Sequence, residues 1–255
     1  MQKRTILITG GASGIGLGIA KYLGEKGHKI IIADINLLAA EEATTQLLKQ
    51  QVDAFAIRLD VTCVAQIEML PEQLLPAQVD ILINNAGIQH VSKLEDFPAE
   101  KWQLLINVML VGPALLSKTF LPGMRERNFG RIINIGSLHS VVASPFKSAY
   151  VAAKHGLLGF SKTLALETGD ANITINTLCP AYVKTPLVEQ QISAQAIENN
   201  LSEKEVINQI MLEPMPKKSF IEIDELAAST EFLISDAARN ITAQALVIDG
   251  GWTAR

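Results

Sequence analysis

Seven short runs of mostly apolar residues, each closed by a turn or a helical pattern, limit what this chain can fold into. They cover residues 5–8, 29–34, 52–57, 79–83, 130–136, 173–178 and 245–248. Lys29-Ile-Ile-Ile-Ala-Asp34 is apolar on both of its faces, as a parallel strand must be when helices cover it on either side. Between the runs lie stretches of helical composition, among them 39–50, 64–75, 98–124 and 148–168. The fourth strand run is closed by Asn84-Asn-Ala-Gly87, and the helix at 98–124 is expected to break at Gly112-Pro113. This alternation predicts an α/β fold: one domain over 1–255, a doubly wound, parallel, seven-stranded sheet with helices on both faces. The alternation lapses only over 181–220, which has no strand pattern and reads as two short helices. An insertion after a strand's C-terminal end lies over the ligand crevice in such folds, so this segment is expected to be a helical substrate lid.

A formal net charge of −4 with no run of Lys or Arg argues against a nucleic-acid partner. Cys63 and Cys179 lack the spacing of a metal site or a redox pair, so no metal is expected and both read as reduced thiols of a cytoplasmic protein. Lys3-Arg4 precedes only three apolar residues before Thr9-Gly10, too few for a signal peptide. No segment approaches about 18 uninterrupted apolar residues, and no membrane span is expected.

Glycines at 10, 14 and 16 fall between the first strand and the first helix. Glycine permits the tight turn and lets backbone N–H groups reach a phosphate at the positive end of the helix dipole. Asp34 ends the second strand, where a carboxylate accepts hydrogen bonds from adenosine ribose hydroxyls and repels a 2′-phosphate. The expected cofactor is therefore NAD.

A second constellation lies in Ser137–Lys154. Tyr150 and Lys154 are four residues apart, on one face of a helix. Ser137 follows an apolar strand, so a hydroxyl, a phenol and an ammonium can converge. A free Tyr titrates near ~10, and a cation one turn away favours the phenolate. The trio suits acid–base work on an alcohol or a carbonyl.

Thr9-Gly-x-x-x-Gly-Ile-Gly16, Asn84-Asn-Ala-Gly87, Ser137 and Tyr150-x-x-x-Lys154, in this order, resemble the short-chain dehydrogenase/reductase family over nearly the whole chain. The resemblance implies a Rossmann-type fold in which Tyr150 is the acid–base, Ser137 positions the substrate oxygen, and Lys154 lowers the Tyr pKa while holding the nicotinamide ribose. Asn107 matches a fourth catalytic position, and Asp60-Val61 an adenine-contacting pair. It further implies cofactor contacts from Gly10, Ser13, Gly14, Ile15, Gly16, Asp34, Asn85, Ala86, Gly87, Pro180, Val183 and Thr185, besides Tyr150 and Lys154.

Gln89, His139, Lys147 and Gln191 are placed to gather near this centre, and one cation with neutral donors suits a single small carboxylate. Gly87-Ile-Gln-His90, the 147–155 helix start, Thr185–Glu189 and the terminal Asp249-Gly-Gly-Trp252 are similar to the branch of the family acting on D-3-hydroxybutyrate. In that branch the four polar positions hold the substrate carboxylate, Trp252 walls the methyl end, and Tyr182 stands where a tryptophan is usual. The activity implied is NAD-dependent interconversion of (R)-3-hydroxybutyrate and acetoacetate, in a homotetramer. The alternatives are reduction of another small 3-oxo acid or a 3-oxoacyl thioester, and a non-catalytic NAD-responsive binding protein.

Overall fold

A computed structural model describes residues 2–254, apart from the side chains of Leu187 and Gln190. Seven strands form one parallel sheet: β1 (Thr5–Thr9), β2 (Lys29–Asp34), β3 (Ala54–Arg58), β4 (Ile81–Asn84), β5 (Gly130–Ile135), β6 (Ile173–Pro180) and β7 (Ala245–Ile248), in the order β3-β2-β1-β4-β5-β6-β7. The helices are α1 (Gly14–Glu25), α2 (Leu37–Lys49), α3 (Val64–Gln73), α4 (Ala99–Ile106), α5 (Gly112–Glu126), α6 (Ser148–Glu167), α7 (Pro186–Asn199), α8 (Glu203–Glu205) and α9 (Ile223–Ile234).

Alternation along the strands divides the core between the two faces. Ile6, Ile8, Ile30, Ile32 and Ile133 pack with Ile19 and Leu23 of α1 and Leu233 of α9. Leu7, Ile31, Leu82, Ile132 and Ile175 pack with Ile67 and Leu70 of α3, Leu116 and Phe120 of α5, and Leu164 of α6. Burying a side chain of this size contributes roughly 1.5–3 kcal/mol. The chain reverses its winding between β1 and β4, which opens a crevice above their C-terminal ends.

Several polar groups on the sheet are paired with one another. Asn84 Nδ2 donates to Asn134 Oδ1 at 2.8 Å, Asn134 Nδ2 donates to Ser161 Oγ at 2.8 Å, and Thr177 Oγ1 donates to the same oxygen at 3.0 Å. This buried chain ties β4, β5, β6 and α6 together just below the crevice.

The helix expected to break at Gly112-Pro113 does not. Ala99–Glu126 is one continuous 28-residue helical stretch, and the irregularity lies earlier, as a π-turn over Asn107–Val111. The π-turn shifts the hydrogen-bond register just before Pro113, so the missing proline N–H falls in the opening turn of α5 and is tolerated. By length and composition the stretch is apolar enough to cross a bilayer, but it packs into the protein through Leu105, Met109, Leu116, Phe120 and Met124.

The segment 181–220 carries α7, then α8 running into a second π-turn over Val206–Met211. It returns to the body where Ile221 N donates to the Tyr182 carbonyl at 2.9 Å.

Candidate active site

A cavity of about 610 Å³ runs from the glycine turn, over the sheet's C-terminal edge, to the lid. At its near end Gly10 and Gly14 have φ of +59° and +53°, a conformation that favours glycine, and a Cβ at Gly10 would stand 2.9 Å from Ala86 Cα. Ser13 caps α1 in an extended conformation with no side-chain hydrogen bond to the helix. Gly10, Ser13, Gly14 and Ile15 all line the cavity, so the opening N–H groups of α1 face it uncapped. Gly16 lies outside the lining: a Cβ there would meet the Gly10 carbonyl and sit 2.5 Å from Asn85 Nδ2. It lets α1 pack closely on the turn.

Asp34 braces this end. Its carboxylate accepts from Ala12 N at 3.2 Å and from Asn36 N at 3.1 Å. Thr9 Oγ1 accepts from Asn85 N and Ala86 N, while Asn85 Nδ2 donates to the carbonyls of Thr9 and Gly10. The ends of β1 and β4 are thereby locked beneath the crevice. Asp60 Oδ1 accepts from Thr62 N at 2.9 Å and from the Thr62 hydroxyl at 2.7 Å. Asp60, Val61, Asn85, Ala86, Gly87, Pro180, Val183 and Thr185 all line the same cavity.

Ser137, Tyr150 and Lys154 meet in its middle. Lys154 is 4% exposed, and its ammonium donates to the Ile135 carbonyl at 2.6 Å. Burial pushes its pKa down to about 8. Its Nζ is 5.7 Å from the Tyr150 ring centroid. The sequence spacing led to the expectation that this cation keeps the phenol acidic. Burial wins instead and raises the Tyr150 pKa, with a hydrogen bond from Ser137 acting in the other direction. The ammonium is drawn toward a β5 carbonyl rather than toward the phenol. The Cys179 thiol, next to this trio, is likewise pushed up by burial.

Asn107 is not part of the lining. It opens the π-turn, its side-chain oxygen accepts from Gln103 Nε2 at 3.0 Å, and its carbonyl accepts from Gly112 N. The π-turn it opens packs against α6, the helix that carries Tyr150 and Lys154.

The far end of the cavity gathers Gln89, His139, Lys147, Tyr182, Gln191 and Trp252, all six of the expected substrate residues. Burial lowers the Lys147 pKa, and its ammonium has no hydrogen bond or ion pair with any described residue. Gln89 Oε1 is buried with no partner among the described residues. An amide turned the other way would present its NH₂ at the same point. Tyr182 and Trp252 stand with ring centroids 6.1 Å apart. His139 differs from its neighbours. Nε2 lies 2.8 Å from Ser144 Oγ, and Nδ1 lies 3.4 Å from Ser137 Oγ. Burial, aided by the Lys147 charge, drives its pKa down to about 4, so the ring is neutral at ordinary pH.

Two supporting residues were missed in the sequence. Asp249 accepts from Gly251 N at 2.8 Å and from Thr253 N and Oγ1 at 2.7 Å each, which folds the terminal hook that carries Trp252 inward. Burial alone would raise its carboxyl pKa, but these hydrogen bonds outweigh it. The Asp-Gly-Gly turn signal pointed there. Ser144 had no signal beyond lying in the loop after Ser137.

The family model for short chain dehydrogenases matches residues 4–196. A D-beta-hydroxybutyrate dehydrogenase of Rhizobium meliloti is 41% identical over 99% of both chains, and one of Cupriavidus necator is 42% identical over 100% of both. An actinorhodin polyketide ketoreductase variant solved with NADPH superposes with a TM-score of 0.94 at 31% identity, covering 99% of this chain and 98% of its own.

Proposed function

The chain belongs to the short-chain dehydrogenase family, and on that premise we propose that it interconverts (R)-3-hydroxybutyrate and acetoacetate using NAD(H). The observation that carries the substrate is Lys147. A desolvated ammonium facing a cavity with no anion within the described residues is a costly arrangement unless the ligand supplies the charge. One cation flanked by Gln89 and Gln191 matches a single carboxylate. Tyr182 and Trp252 leave an apolar wall for the short remainder of the molecule.

The cradle fits a dinucleotide. Uncapped N–H groups at the start of α1 and the close approach of backbone at Gly10 suit a diphosphate, and Asp34 suits an adenosine ribose with free 2′ and 3′ hydroxyls. That carboxylate disfavours a 2′-phosphate, which supports NAD over NADP. When bound, the nicotinamide supplies or accepts the hydride.

The remaining steps belong to the protein. In reduction, the Tyr150 hydroxyl gives its proton to the developing alkoxide while the Ser137 hydroxyl donates a hydrogen bond to the same oxygen. Burial favours the neutral phenol, the form needed for that step. In oxidation, Tyr150 takes the alcohol proton, a step in which the Ser137 hydrogen bond favours the phenolate. Lys147, Gln89 and Gln191 hold the carboxylate so that C3 faces the cofactor. We infer a homotetramer as well; exposed Leu166, Phe232 and Leu246, on α6, α9 and the edge strand β7, supply apolar surface for it.

The test is steady-state reduction of acetoacetate and of an acetoacetyl thioester, each with NADH and NADPH. The proposal expects acetoacetate with NADH to have the largest kcat/KM of the four. A thioester preferred by tenfold would replace this reading with that of an acyl-thioester reductase, to which a carboxylate-seeking Lys147 offers nothing.

A further inference from the structure

Tyr182 ends in a hydroxyl for which the reaction as proposed has no use. Its ring faces suit an apolar wall, but a phenylalanine would serve that purpose as well. The hydroxyl has no hydrogen-bond partner among the described residues, although a buried phenol usually finds one. Burial raises its pKa, so it stays a neutral donor. A charge placed on it would also raise the Tyr150 pKa, which puts the two phenols within electrostatic reach of each other inside the cavity.

The phenol is held in place from several sides. The Tyr182 carbonyl accepts from Ile221 N at 2.9 Å, beside a bridge between Val183 and Ile221. Its side chain packs against two clusters under the lid, one containing Met215 and Leu226, the other Val188 and Val206. Trp252 stands against it, with ring centroids 6.1 Å apart. A donor fixed in this way is preorganised for whatever meets it. When the carboxylate sits on Lys147 and C3 faces Tyr150, the remaining end of the substrate, C4, meets this wall. A methyl group there excludes water and leaves the hydroxyl desolvated and unpaired, which is costly. An oxygen on C4 removes that cost and accepts the hydrogen bond.

We propose that Tyr182 is a specificity-determining residue whose hydroxyl donates to an oxygen on C4, so that the site takes 3-hydroxy acids bearing a C4 hydroxyl in preference to those of the same size without one. The inference rests on the carboxylate reading of Lys147 given above. The smallest such substrate is (S)-3,4-dihydroxybutanoate. Its hydroxymethyl group stands where (R)-3-hydroxybutyrate has its methyl, and the descriptor changes only because the added oxygen alters the priority order. Its oxidation is the same two-electron step. C3 gives a hydride to NAD⁺, the C3 hydroxyl gives its proton to Tyr150, and the products are 4-hydroxy-3-oxobutanoate and NADH. The C4 hydroxyl is bound and does not react.

Initial rates of NAD⁺ reduction with three acids decide it: (S)-3,4-dihydroxybutanoate, (R)-3-hydroxypentanoate and (R)-3-hydroxybutyrate. The pentanoate carries an ethyl group, close in size to a hydroxymethyl group and lacking its oxygen. In the wild type the dihydroxy acid should exceed the pentanoate in kcat/KM by at least about tenfold. Tyr182→Phe keeps the ring and removes the hydroxyl. It should lower kcat/KM about tenfold for the dihydroxy acid and raise it about threefold for the pentanoate, since the unpaired group is gone. The wild-type comparison stands by itself if the variant does not fold. A wild type that oxidises 3-hydroxybutyrate but treats the other two acids alike, or a Phe variant that leaves their ratio where it was, would overturn the role of the hydroxyl and leave the 3-hydroxybutyrate reading intact. A wild type that oxidises none of the three would overturn both.

Discussion

Replacing Lys147 with Met separates the two consequences of a partly buried cation that has no hydrogen bond or ion pair among the described residues. Methionine keeps most of the length and volume of the side chain and removes the charge. A hydrogen bond to a charged group contributes about 1.5–3 kcal/mol, and truncating one partner of a buried charge pair costs about 2–5. Taking ~2–3 kcal/mol for a partly desolvated site gives a rise in KM for acetoacetate of roughly 30- to 160-fold. KM for NADH should stay within about twofold, since Lys147 lies at the far end of the cavity from the glycine turn. In the ligand-free protein the ammonium is disfavoured by burial, as its lowered pKa records, so the same variant should melt at a higher temperature. The assay is NADH absorbance with acetoacetate and, beside it, a neutral diketone of similar size such as acetylacetone. Only the acid should lose kcat/KM. Equal losses for acid and diketone, or a KM for acetoacetate that rises less than threefold, would refute the reasoning that the cation exists for a carboxylate.

Asp34→Ser should narrow the preference for NADH over NADPH by about tenfold in kcat/KM, because it removes the charge that repels a 2′-phosphate; an unchanged ratio would place cofactor choice elsewhere. Lys154→Met should abolish turnover while stabilising the fold. A pKa of about 8 against an ordinary 10.5 is a difference of 2.5, so the protonated side chain costs up to ~3 kcal/mol in the folded state. The unfolded chain binds more protons between those values, so wild-type stability should rise as pH climbs from about 8 to about 10.5, and the Met variant should lose that rise; a flat wild-type profile would contradict it. Asn134→Ala should destabilise by about 2–4 kcal/mol in chemical denaturation, since it strands Asn84 Nδ2 and a Ser161 contact in the core.

Much of the fold was legible because its strands are buried on both faces and so read as uninterrupted apolar runs. The crevice was legible for the same reason: a glycine turn after β1, an acid ending β2 and Asn84–Gly87 ending β4 all fall at C-terminal strand ends. Four-residue spacing brought Tyr150 and Lys154 to one helix face. It did not say that Nζ would prefer the Ile135 carbonyl, nor that burial would outweigh charge at the phenol. The π-turn that Asn107 opens was not legible, because it leaves no mark in composition. The contact between His139 and Ser144 was not legible, because it is set by loop geometry, which has no period to read.

The central claim is that Tyr150 moves a proton to and from a small hydroxy acid beside a bound nicotinamide. It is met most directly by the initial rate of NAD⁺ reduction with (R)-3-hydroxybutyrate in the wild type and in Tyr150→Phe. Steady turnover is expected in the wild type and a loss of at least about 10³-fold in the variant, with NADH still binding within about threefold of its wild-type Kd. A Tyr150→Phe enzyme that keeps turning over would contradict it, as would a wild type that binds NADH and leaves the hydroxy acid untouched.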